Sequence, residues 1–102
     1  MQVCSTRDRG VRLSFSDSLL AGLPPGGGLY QPDPPPDLGQ EIAALPDGAA
    51  FREVAAAATS RLLEEELAGS PGGPPAAAES LVEEAFPFAP ALSRLHDGIV
   101  LL

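Results

Sequence analysis

Ser14-Phe15-Ser16-Asp17-Ser18-Leu19-Leu20-Ala21-Gly22-Leu23-Pro24-Pro25-Gly26-Gly27-Gly28-Leu29-Tyr30-Gln31-Pro32 divides the chain into a helix, a forced turn and a strand. Ser14 is placed to cap a helix by accepting the backbone N–H three residues on, and Asp17 occupies the reciprocal position of a capping box, one methylene shorter than the usual Glu or Gln. Phe15, Leu19 and Leu20 share one side of that helix, and Gly22 can end it in a left-handed conformation. Two prolines and three glycines then impose a sharp turn before Leu29-Tyr30, where Pro32 stops any strand. Ahead of this block, Gln2 to Thr6 reads as a short strand. Behind it, Gln31 to Asp37 holds four prolines in seven residues and reads as extended loop.

Periodicity predicts the longest helix from near Asp47 or Gly48 to Gly69, with Phe51, Val54, Ala55, Ala58 and Leu62 on one buried stripe. Leu63 and Leu67 fall off that stripe and ask for a second neighbour. Glu64, Glu65 and Glu66 at the C-terminal end of such a helix oppose its dipole, an effect Arg61 can partly offset through Glu64 and Glu65. Ser70 to Pro75 reads as a linker, and a third helix follows over Ala76 to Ala85, with Ala78, Leu81, Val82 and Ala85 on one face. Phe86-Pro87-Phe88-Ala89-Pro90 interrupts it, Leu92 to Leu95 adds a further turn, and Ile99 to Leu102 reads as a buried strand. The expected fold is a small, helix-rich α+β unit: about three helices, short N- and C-terminal strands, and Pro/Gly-rich connections.

Composition narrows the function. At 102 residues the chain fits a single domain. Sixteen alanines, one Tyr, four Phe and no Trp leave few large side chains, so the core is expected to be marginal. A net charge of −8 argues against nucleic acid or an anionic membrane as partner, since both demand a positive surface. The acidic runs Glu64-Glu65-Glu66 and Glu83-Glu84 read as solvated helix faces. Cys4, the single cysteine, excludes an internal disulfide, reads as a buried inert thiol and fits a cytoplasmic location. The N-terminal segment is broken by charges and carries no secretory apolar core, and no apolar run reaches membrane-spanning length.

Several motifs, in order, carry a resemblance: Ser5-Thr6-Arg7 with Gly10 following, Ser14-Phe15, Gly22-Leu23, Pro25-Gly26-Gly27-Gly28-Leu29-Tyr30-Gln31-Pro32, and Phe51-Arg52-Glu53-Val54-Ala55. Ala85-Phe86, Pro90-Ala91-Leu92 and Val100-Leu101-Leu102 extend the series. Together they resemble the N-terminal part of threonine synthase, with Gly26 standing where that family usually has Asp. The resemblance implies a parent enzyme converting O-phosphohomoserine and water to threonine and phosphate, with pyridoxal phosphate bound as a Schiff base on a lysine. All six basic residues here are arginines, so no such bond can form on this chain. The expectation is therefore an N-terminal domain over residues 1–102, truncated at its C-terminal end, catalytically incompetent alone, and partnered by the missing C-terminal catalytic domains of the same chain. A stand-alone acidic helical interaction module, or the remnant of a decayed gene, is the alternative reading.

No residue is assigned a catalytic, cofactor or metal role. Arg7, with Arg9 and Arg12 in the only basic cluster, is the one candidate for substrate contact; a structural salt bridge is the competing reading. Gly26-Gly27-Gly28 reads as a turn rather than a phosphate cradle, because no Lys-Ser/Thr and no helix follow. Tyr30 reads as a packed aromatic. His96, the only histidine, reads as a solvated loop residue with no nucleophile or metal constellation around it.

Overall fold

A computed structural model describes residues 1–101. Its elements are β1 (Gln2–Ser5), β2 (Arg12–Ser14), α1 (Phe15–Ala21), β3 (Tyr30–Pro32), α2 (Gly39–Ala43), α3 (Phe51–Leu62), α4 (Glu64–Leu67), α5 (Gly73–Ala85), β4 (Ser93–His96) and β5 (Ile99–Leu101). Among the described residues the α+β class holds, with five helices instead of three, and a further strand, β2, joins those expected at Gln2 to Thr6 and Leu29-Tyr30 in a three-stranded sheet. Leu102, the end of the expected terminal strand, lies outside the described residues.

β1 is the central strand of an antiparallel sheet ordered β2-β1-β3. Val3 pairs with Leu13 on one side and Pro32 on the other, and Cys4 pairs with Arg12 and Gln31. Being central, β1 is the most buried strand: Val3, Cys4 and Ser5 are all inside. Pro32 is tolerated because β3 is an edge, where a missing N–H costs no ladder bond.

The caps of α1 form much as the sequence implies. Ser14 Oγ accepts the Asp17 N–H at 3.1 Å, and the Gly22 N–H, at φ 72°, closes onto Ser18 O at 3.0 Å. The capping box is altered by the shorter acid: the Asp17 carboxylate accepts the Ser14 hydroxyl at 2.6 Å instead of the Ser14 backbone. Leu19 and Leu20 face outward, and the buried residue of α1 is Ser18, whose hydroxyl donates to Phe15 O at 2.7 Å.

The expected long helix breaks at Leu63, which leaves helical geometry at φ −106°, ψ 23°. This reverses the electrostatic expectation: Glu64, Glu65 and Glu66 form the first turn of α4, the end where carboxylates are favoured. Arg61 reaches Glu64 at 2.6 Å and Glu41 at 3.3 Å, whereas Glu65 turns to the N-terminus. Leu63 and Leu67 become half-buried, and α4 packs against α5, the neighbour those leucines required. Helix α3 begins at Phe51, after a turn through Gly48, and the Glu53 carboxylate reaches back to accept the Ala50 N–H at 2.6 Å.

The linker is shorter than expected. Pro74 and Pro75 open α5 because the first turn of a helix needs no N–H from them. Ala78 and Val82 are buried against α3, while Leu81 and Ala85 are exposed. Phe51 and Phe86 meet edge to face with ring centres 5.1 Å apart, pinning the start of α3 to the end of α5.

Two expectations near the end are corrected. Leu92 to Leu95 belongs to strand β4 and its approach, not to a helical turn, because Asp97-Gly98 folds β4 back onto β5 as a hairpin. Ile99 and Val100 are 45% and 57% exposed, not buried, since no other described element covers the hairpin. The accessible surface totals 7189 Å², about a third above the ~5,400 Å² of a compact 10.4 kDa monomer. Among the described residues, Val3, Cys4, Ala78 and Val82 form the buried hydrophobic core.

Candidate functional site

The residues singled out by the sequence converge where β1 ends and the triple-glycine turn approaches it. Ser5, fully buried, uses its hydroxyl to accept the N–H groups of Arg7 (3.2 Å) and Asp8 (3.3 Å), which bends the chain away from the strand. Asp8 continues the bend by accepting the Gly10 N–H at 2.9 Å, and the returning chain enters β2. A buried serine in this place satisfies two donors that a strand end would leave unpaired.

Thr6 and Arg7 hold the turn. The Thr6 N–H donates to Leu29 O at 2.9 Å, and its hydroxyl accepts the Leu29 N–H at 3.0 Å. Arg7 Nη1 donates to Gly26 O at 3.2 Å. Gly26, Gly27 and Gly28 adopt φ of 80°, 85° and 93°, a run that only glycine tolerates. At Gly28 space is also lacking, because a Cβ there would lie 2.8 Å from Thr6 Oγ1 and 3.2 Å from Arg7 Cγ. At Gly27 it would touch the Arg7 guanidinium at 3.4 Å. The segment is a turn closed by the Gly27 N–H onto Pro24 O at 3.1 Å, and it leads into a strand.

The basic cluster is divided in its work. Arg12 pairs with Asp33 at 2.6 Å, and Arg9 approaches the same carboxylate at 3.9 Å, tying β2 to the far end of β3. Arg7 makes no ion pair among the described residues and spends one nitrogen on the turn. Asp33 and Thr6 were not singled out by the sequence; their roles depend on strand register, although Thr6 lay inside a quoted motif. Tyr30 is half-buried in β3 opposite Ser5. Cys4 is fully buried, with Gln31 Nε2 3.8 Å from its sulfur.

His96 ends strand β4 rather than lying in a loop, and among the described residues its exposed ring hydrogen-bonds only with the adjacent Asp97 carbonyl, at 3.3 Å. Among the described residues no group of three His, Cys, Asp or Glu side chains could hold a metal ion. The strongest electrostatic feature outside the turn is the Met1 ammonium, which binds Glu65 at 2.7 Å and Glu66 at 2.5 Å. These carboxylates raise its pKa above the ordinary value, and the ammonium lowers that of Glu65. The contact ties the sheet to α4.

Comparison with known proteins centres on this same region. The threonine synthase N terminus family matches residues 2–70, from β1 through the end of α4. Threonine synthase from Methylobacillus glycogenes is 38% identical over 65 residues, which cover 64% of this chain and 14% of that protein. No solved structure matches. The family match stops before α5, so the resemblances at Ala85-Phe86 and beyond lie outside it. Since the matched span contains the whole sheet, the Thr6–Arg7 hook and the glycine turn, the chain belongs to the threonine synthase N-terminal family.

Proposed function

We propose that this chain serves as the N-terminal region of a threonine synthase-like enzyme, one that converts O-phosphohomoserine and water to threonine and phosphate in the cytoplasm. The observation that carries the reading is the family match over residues 2–70, which spans the hooked turn. The chain covers only about a seventh of the curated relative, and the reaction is assigned to the remainder of such an enzyme.

Pyridoxal phosphate, the cofactor implied by the family, does not fit the residues of this chain. Its Schiff base needs a lysine and the sequence has none. The triple-glycine turn offers no phosphate cradle: it directs the Gly27 and Leu29 N–H groups at Pro24 and Thr6. The chain's own contribution is structural: it supplies a rigid sheet and turn that dock against the catalytic part. Arg7, whose other guanidinium nitrogens have no partner among the described residues, stays the one candidate here for meeting the substrate anion. Leu92, Leu95, Ile99 and Val100, all exposed, are the apolar surface available for covering by the catalytic part.

Complementation in trans tests this. A threonine synthase lacking the segment equivalent to residues 2–70 is expressed in a threonine auxotroph, with or without this chain. Growth without threonine is expected only when both are present, and Arg7→Ala distinguishes a substrate contact, which raises KM, from a hook, which lowers the amount of folded chain. Growth supported by this chain alone, or no growth with both partners folded, overturns the proposal.

A further inference from the structure

Away from the glycine turn, a cleft of about 860 Å³ opens between α2, α3 and α5. Ala56 and Ala57 of α3 line it together with Leu45 and Val82. Small lining residues allow a second backbone to come close, and the volume falls in the range of ligand-sized clefts. Five glutamates outnumber two arginines around it, with Arg52 donating to Phe86 O at 2.7 Å, and the carboxylates are not equivalent. Glu41 and Glu64 are bridged by Arg61, and Glu53 accepts the Ala50 N–H. Glu79 and Glu83 have no ion-pair partner among the described residues. They lie four residues apart on α5, where like charges face each other and weaken the helix.

Charge selects the occupant. A chain of net charge −8 disfavours a second copy in this cleft, because two acidic rims would be brought together. We propose that the cleft docks a basic amphipathic helix of a partner protein, its apolar face on Ala56 and Ala57 and two cationic side chains, one turn apart, on Glu79 and Glu83. The spacing of the two carboxylates matches cations at i and i+4 on the incoming helix, and their approach removes the repulsion within α5. The two carboxylates that select the occupant lie on α5, outside the span matched by the family, whereas Ala56 and Ala57 lie within it.

The probe is a labelled synthetic helical peptide with Leu at i, i+3 and i+7 and Arg at flanking i and i+4 positions, titrated with the full chain by fluorescence anisotropy. A scrambled peptide of equal charge and composition is the control. The designed peptide is expected to bind and the scrambled one to bind at least about fivefold more weakly. Glu79→Gln with Glu83→Gln should weaken binding about fivefold while leaving the melting temperature unchanged or higher, whereas Asp47→Asn with Asp97→Asn should leave binding unaltered. Equal binding of the two peptides, or an equal loss from the Asp47/Asp97 variant, would reveal general charge attraction and overturn the proposal. Absence of binding, or a dimer that Glu79→Gln with Glu83→Gln dissolves, overturns it as well.

Discussion

Gly28→Ala should destabilise the chain through two separable costs, and the separation tests the account of the hooked turn. The first is conformational: at φ 93° an L side chain pays about 1–2 kcal/mol. The second is steric. The new Cβ would sit 2.8 Å from Thr6 Oγ1, so the hydroxyl must rotate away and release the Leu29 N–H, a loss of about 0.5–1.5 kcal/mol for the hydrogen bond. Together the expected loss is about 1.5–3.5 kcal/mol. Gly26→Ala shares the first cost alone, since at φ 80° its Cβ would meet nothing within 4 Å. Urea denaturation followed by circular dichroism measures both variants, and Thr6→Ala supplies the cross-check. With the hydroxyl gone, the excess cost of Gly28→Ala over Gly26→Ala should shrink by about 1 kcal/mol, the coupling between positions 6 and 28, leaving the smaller push on Arg7 Cγ at 3.2 Å. Equal destabilisation by Gly26→Ala and Gly28→Ala in the wild-type background would refute the claim that Thr6 packs against the turn.

Two further outcomes are expected. The contact between the Met1 ammonium and Glu65 should stabilise the fold fully between pH 4.5 and 8.0: its contribution falls as pH rises through the raised ammonium pKa and as pH drops through the lowered carboxylate pKa, so the urea midpoint difference between wild type and Glu65→Gln should shrink on both sides of that window and in high salt. Val100→Asp should change stability by less than about 0.5 kcal/mol, because the residue is 57% exposed; unfolding of this chain by that substitution would mean that the hairpin is covered.

What the sequence made legible was local. Ser14 and Gly22 mark the ends of α1 within a residue because capping depends on neighbours three or four positions away. The glycine run announces a turn for the same reason. Strand β2 escaped notice because Arg12, Leu13 and Ser14 carry no strand preference of their own; they are extended because the register places them beside β1. The break at Leu63 has no Gly or Pro to announce it. It accompanies the packing of α4 on α5, a contact beyond the three- or four-residue reach of a cap. At Leu92 to Leu95 a signal was present in Asp97-Gly98, a pair suited to reversing a hairpin, but the short apolar spacing favoured a helical reading. Arg7 was legible as a cation, whereas its grip on Gly26 depends on how β3 aligns with β1.

The central position of β1 has a consequence for synthesis. Both of its partners lie within residues 12–32, so a growing chain holds the whole sheet before α3 has been made. Translation adds about 5–20 residues per second, while a hairpin closes in about 1–10 μs. The sheet therefore has more than enough time to reach its register between successive additions, and the ammonium clasp onto Glu65 and Glu66 can form only after some thirty further residues have emerged. A ribosome-bound chain stalled after Pro32 has left the exit tunnel should already protect the Val3 and Cys4 amides from hydrogen exchange.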